Sequence, residues 1–149
     1  MKTLTSTEVV TQLNSLLRGE LSAIETYEQA IDKTRKDNPN EAAELALIAD
    51  AHRRHAEILR GAVRSQGGEA SDSSGAWGSY AAVVAGVASL FGDASALKAL
   101  KEGEEHGLKN YQEAIDDVDA DTHKFIGTQL IPEQRRHIAT LDRLISSIK

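Results

Sequence analysis

Cysteine is absent from all 149 residues, which excludes a disulfide framework and any thiolate metal site. An ion could be held only by carboxylate, imidazole or amide groups. Aromatic residues make up four per cent of the chain, while Ala, Leu, Glu and Ile fill its periodic stretches. That palette favours helices over sheets, so the expected class is all-α. No apolar run approaches the ~20 residues that span a bilayer, and no basic start followed by an apolar run opens the chain as a signal peptide would. No membrane partner is therefore expected, and a soluble cytoplasmic protein is the default. A net charge of -6 argues against nucleic acid, whose phosphates call for a basic face. The paired arginines Arg53-Arg54 and Arg135-Arg136 sit among acids and read as surface ion pairs. No Ser/His/Asp arrangement, phosphate-cradling glycine loop or dinucleotide fingerprint occurs. The length suits a single domain, residues 1–149, with one substantial core.

Four helical seams can be traced. The first helix begins after Thr5 or Ser6 and ends near the turn from Lys36 to Asn40. Its apolar seam is Leu13, Leu17, Ile24, Tyr27 and Ile31. The second begins after Pro39-Asn40 with Asn40 as N-cap and runs to Gly67-Gly68, with a seam of Leu45, Ile48, His52, His55, Leu59 and Ala62. A long crossover from Gly67 to Ser95 follows, carrying its own short helix from Ala76 to Phe91, which reads as a lid or equally as the surface of a homodimer. The third helix spans Ala94–Val118 behind Asp93. The fourth starts at about Thr122 with a seam of Leu130, Gln134, His137, Leu141, Leu144 and Ile148. Pro132 should kink this helix or split it in two.

The second half repeats the first. Glu20 through Tyr27 is echoed by Glu104 through Tyr111, and Arg53-Arg54-His55 followed by Leu59 is echoed by Arg135-Arg136-His137 followed by Leu141. Two similar helical hairpins, joined by the crossover, would pack as a pseudo-twofold four-helix bundle. The repeat also places polar groups where core residues belong: Glu20, His52 and His55 in one half, and Glu104, Gln134 and His137 in the other. A carboxylate in a helical core needs a partner, because an unpaired buried charge is costly. Bundles with a two-metal carboxylate centre set one Glu on each of two helices and a Glu-x-x-His pair on each of the others, since residues three apart share a face. Tyr27 and Tyr111 lie two turns beyond Glu20 and Glu104, on the same face, where their hydroxyls can support a ligand.

On these residues the chain resembles the ferritin-like superfamily, on its rubrerythrin side, and more narrowly the uncharacterised bacterial four-helix-bundle proteins grouped as a domain of unknown function. The resemblance runs through Leu13 to Asp32, His52 to Leu59, Gly67-Gly68-Glu69, Gly103 to Asp116 and Gln134 to Leu141. It implies a ferritin-like bundle, often with iron, in bacterial proteins of stress or storage type. Glu20 and Glu104 match the family's single glutamates, and His55 and His137 match its histidine ligands. His52 and Gln134 stand where the iron-oxidising members carry glutamates, so ferroxidase or peroxidase activity is not expected.

The resulting expectation is a divalent ion, iron or zinc, held by Glu20, His55, Glu104 and His137 with His52 as an optional ligand. Tyr27, Tyr111 and Gln134 lie behind the ligands. Metal handling or a stress response would be the role. The alternative is a metal-free structural or interaction bundle whose inward Glu and His groups hydrogen-bond only to one another. His106 and His123 fall off the seams and read as exposed. Glu133 reads as a solvated residue, unless the kink at Pro132 rotates it inward.

Overall fold

A computed structural model describes residues 4–73 and 93–148. Among them every regular element is helical: α1 (Ser6–Thr34), α2 (Pro39–Ser65), α3 (Asp93–Ala114), α4 (Ala120–Phe125) and α5 (Ile131–Ser147), with a π-helical segment, Ile126–Leu130, between the last two. The expected helix from Ala76 to Phe91 lies outside the described residues. No described helix is long and apolar enough to cross a membrane.

The ends of the helices follow from local chemistry. Thr5 caps α1 by accepting the Glu8 amide at 3.1 Å. The cap of α2 is Asn38, which accepts the Glu41 amide at 3.1 Å, and not Asn40 as the sequence suggested. Pro39 then occupies the first helical position, where its missing N–H costs nothing. At the other end of α2 the Gly68 N–H reaches the Val63 carbonyl and the Gly67 N–H reaches the Arg64 carbonyl, both at 3.0 Å. Gly67 sits at φ 79°, the left-handed geometry that closes a helix in this way. Helix α3 stops at Ala114, short of the expected Val118. The acidic run beyond it belongs to the next helix, as its charge favours, because Asp119 caps α4 by accepting the Thr122 amide at 3.2 Å.

The last helix comes in pieces just before Pro132, as the sequence allowed, although its backbone stays helical throughout. The backbone passes from α4 through the π segment into α5, and the Ile131 N–H bonds the Ile126 carbonyl, five residues back. The wider turn displaces the carbonyl that the proline ring would strike and absorbs the missing donor.

Helix α1 packs mainly on α2, and α3 on α5, with α1 also meeting α3. Two apolar clusters fill the interior. One includes Leu13, Leu17, Leu59, Val63, Tyr111 and Leu130; the other includes Tyr27, Leu45, Leu97, Leu100 and Leu141. On each of the four helices the polar seam residues fall between these clusters, so they form a layer across the middle of the core. The order in which each helix meets the clusters gives its direction: α1 opposes α2, α3 opposes α5, and α2 and α3 run the same way.

Replacing Gly67 by Ala should cost about 1–2 kcal/mol, the penalty for a Cβ in left-handed backbone, read as a lower midpoint in urea denaturation. The secondary structure content should not change.

Candidate metal centre

The polar layer holds Glu20, His52, His55, Glu104, Gln134 and His137, each at most 8% exposed. Its centre is His52. One ring nitrogen, Nδ1, lies 2.5 Å from Glu20 Oε2, and the other, Nε2, lies 2.7 Å from Glu104 Oε1. Residues three apart on α2 place His55 on the same face, with its Nδ1 3.7 Å from Glu20 Oε1. On α5 His137 does the same for the other half, its Nδ1 lying 3.2 Å from Glu104 Oε1. The three imidazoles are neighbours: the His52 ring centre is 5.9 Å from that of His55 and 5.2 Å from that of His137.

The tyrosines bond crosswise. Tyr27 on α1 donates to Glu104 Oε1 at 2.7 Å, and Tyr111 on α3 donates to Glu20 Oε1. Gln134 donates its amide to the Glu104 backbone carbonyl at 3.0 Å. Gly107 makes room for this bond, since a Cβ there would stand 2.8 Å from Gln134 Nε2. The six inward polar groups that the sequence points to are buried together in this layer, and the two tyrosines reach it from the clusters on either side. The sequence leaves Glu133 as a conditional case, and the structure resolves that case: the carboxylate is partly buried, and its Oε2 accepts from His55 Nε2 at 3.2 Å. Glu41 is also buried, a position that the seam pattern gave no signal for. His106 and His123 are exposed, as expected.

The electrostatics follow from these contacts. Burial opposes ionisation of the Glu20 carboxyl, but the charge and hydrogen bond of His52, aided by His55, outweigh it and hold the group at about 2. Burial is likewise outweighed at Glu104, where His52 and His137 hold the carboxyl below the usual carboxylate range. Burial also opposes a charged His52, yet Glu104 and Glu20 raise it well above the ordinary histidine value. Without an ion, the layer is therefore an imidazolium clamped between two carboxylates.

The same donors can hold a metal ion. Glu20, His52 and His55 each offer a ligand atom within 4.8 Å of the others, and so do His52, Glu104 and His137. His55 Nδ1, His137 Nδ1, Glu104 Oε2 and Gln134 Oε1 are among the buried atoms without a hydrogen-bond partner, so the layer has polar atoms that a water or an ion could satisfy. A cavity of about 20 Å³ opens between α1 and α3 against Glu20, Glu104 and Gln134, room for one water-sized molecule.

Without added ion, the pH dependence of stability follows from the signs of these shifts. The Glu20 contribution is present above the ordinary carboxyl value of 4.5 and is lost as pH falls toward about 2. The His52 contribution is complete below 6.5 and is lost as pH rises through its raised folded value. Protein in chelator should thus melt highest between those two ordinary values. His52→Ala, which leaves two buried carboxylates unpaired, should cost ~3–5 kcal/mol in that window, measured by urea denaturation.

Residues 8–117 match the family described as Domain of unknown function (DUF2383). The matched stretch takes in Glu20, Tyr27, His52, His55, Glu104 and Tyr111 and ends before Gln134 and His137. No curated protein matches the chain.

Proposed function

The chain belongs to the DUF2383 family, and we propose that it is a ferritin-like four-helix bundle that binds one divalent transition-metal ion in its polar layer, with a role in metal handling. The observation that carries the reading is the convergence of two carboxylates and three imidazoles, drawn from four helices, as two overlapping triads whose ligand atoms lie within 4.8 Å of one another. The bundle reading is supported by the opposed pairs α1 with α2 and α3 with α5 and by the common direction of α2 and α3.

Charge sets the number of ions. Glu20 and Glu104 together offset one divalent ion when the imidazoles are neutral. A second ion would lack its counter-charge, because Gln134 is an amide and His52 cannot act as a bridging carboxylate. The donor set therefore supports binding of a single ion and not the paired-iron oxidation that four carboxylates would sustain. Imidazole with carboxylate suits iron(II) or zinc. Bound there, such an ion would act as a Lewis acid, and iron would add one-electron chemistry. His52 must give up a proton to become a ligand, and it can then ligate through one nitrogen while the other donates to the carboxylate of the opposite triad. Each tyrosine donates to the Oε1 of its carboxylate, the oxygen that on Glu104 also meets His52, which restrains the orientation of both carboxylates.

The two contacts of His52 favour a second reading, in which the layer is closed by its own hydrogen bonds and the protein is a metal-free structural bundle. The experiment that separates the two is elemental analysis of protein purified without chelator or nickel resin, with melting followed against added iron(II) and zinc. On the metal reading the protein carries one ion per chain. Ion at a hundred times its dissociation constant then stabilises it by about 2.7 kcal/mol, or roughly 5–10 °C, and His55→Ala abolishes the response. On the structural reading nothing responds, and replacing Glu20, His52 and Glu104 together by apolar residues leaves stability unchanged or raised. Ion uptake should also rise with pH, since His52 releases its proton on binding.

A further inference from the structure

The two halves of the polar layer are not equivalent. When Arg53-Arg54-His55 is superposed on Arg135-Arg136-His137, Ala51 falls opposite Glu133, so only one hairpin brings an extra carboxylate to this level. That carboxylate crosses to the other hairpin. Glu133 Oε2 lies 3.2 Å from His55 Nε2, while its Oε1 faces the Arg54 guanidinium at 3.8 Å. A carboxylate can only accept, so the hydrogen of this bond sits on His55 Nε2. The other nitrogen of His55, Nδ1, is buried without a hydrogen-bond partner and lies on the side of Glu20 Oε1, 3.7 Å away. Its lone pair faces the interior. The ring is also backed by Phe125, edge-on at 6.2 Å, which opposes a flip. His137 has no such partner: among the described residues, no carboxylate touches its Nε2.

We propose that Glu133 is a positioning residue which, by holding the proton on His55 Nε2, commits Nδ1 to the ion and so assigns the ion to the triad of Glu20, His52 and His55. The inference rests on the reading of the layer as an ion site and adds which half of it is used. In that arrangement His52 ligates through Nδ1, beside Glu20, and donates its Nε2 hydrogen to Glu104. Glu104, which also accepts from Tyr27, becomes the supporting carboxylate and not a ligand. Glu133 stands in the first turn of α5, directly after the π segment and Pro132, and Gln134 and His137 on the same helix are buried. A carboxylate behind a ligating imidazole fixes its tautomer and orientation, and loss of such a group commonly lowers metal affinity by roughly 10–100-fold.

The test has two parts, both on the full chain. In protein freed of metal by chelator, nitrogen-15 spectra report which ring nitrogen of His55 carries hydrogen. The expected result is Nε2–H in the wild type and in Glu133→Gln, whose amide oxygen accepts the same bond, and loss of that preference in Glu133→Ala. Zinc and iron(II) affinities should then fall roughly 10–100-fold in Glu133→Ala, be largely rescued in Glu133→Gln, and suffer more from His55→Ala than from His137→Ala. Because Glu133 is at the rim of the core, its variants should keep the wild-type helical signal, which circular dichroism checks. A wild-type His55 protonated on Nδ1, an affinity unchanged in Glu133→Ala, or an equal loss in the two histidine variants would each overturn the inference while leaving the ion site standing. Absence of ion uptake by the wild type would overturn the proposed function and this inference with it.

Discussion

Two buried carboxylates facing each other across a helical core cannot both stay ionised without a positive charge between them, and His52 supplies it through contacts of 2.5 and 2.7 Å. The remainder of the structure is arranged around that requirement. Apolar clusters on both sides seal the layer from water. This strengthens the attraction between the charges and raises the cost of removing any one of them. The consequence is a protein whose middle is held by polar contacts of high directionality and whose ends are held by ordinary packing of Leu, Ile and Val.

The same layer links stability to function. A core closed by hydrogen bonds and a core prepared for an ion share their residues, and they differ in what stands between the carboxylates. An imidazolium there neutralises one of two negative charges, whereas a divalent ion with neutral imidazoles neutralises both. Binding, on the proposed reading, would exchange one positive charge for two and release a proton. The buried atoms that lack partners, His55 Nδ1 and His137 Nδ1 among them, are the places where this exchange has something to gain.

Much of this could be read from the sequence, because a charged residue in a heptad-like seam is a strong departure from an expected pattern. Glu20, His52, His55, Glu104, Gln134 and His137 are the polar interruptions of the seams, and the structure brings them into one layer. The failures concern backbone detail. Asn38 and Asn40 flank the same proline, and only the choice of first helical position distinguishes them as caps. Pro132 reads as a kink or a division, and the structure does divide the helix there, but the π segment that joins the pieces is a backbone form that a pattern of side chains does not report. Glu133 follows that segment, and so its inward approach to His55 could be stated only as a condition. Glu41 sits at the start of α2, outside any apolar repeat, and its burial comes from tertiary packing alone.

The crosswise tyrosines have a further meaning for how the halves of the chain relate. Tyr27 belongs to the hairpin of α1 and α2 but bonds the carboxylate of the other hairpin, and Tyr111 returns the bond. Each hairpin carries the partner that its counterpart's acid needs, much as two halves of a clasp carry each other's catch. The internal repeat is thus tied together by bonds that run between its two copies. Each glutamate also has a histidine of its own hairpin beside it, His52 for Glu20 and His137 for Glu104, so the tyrosines add bonds between the halves to contacts already made within each.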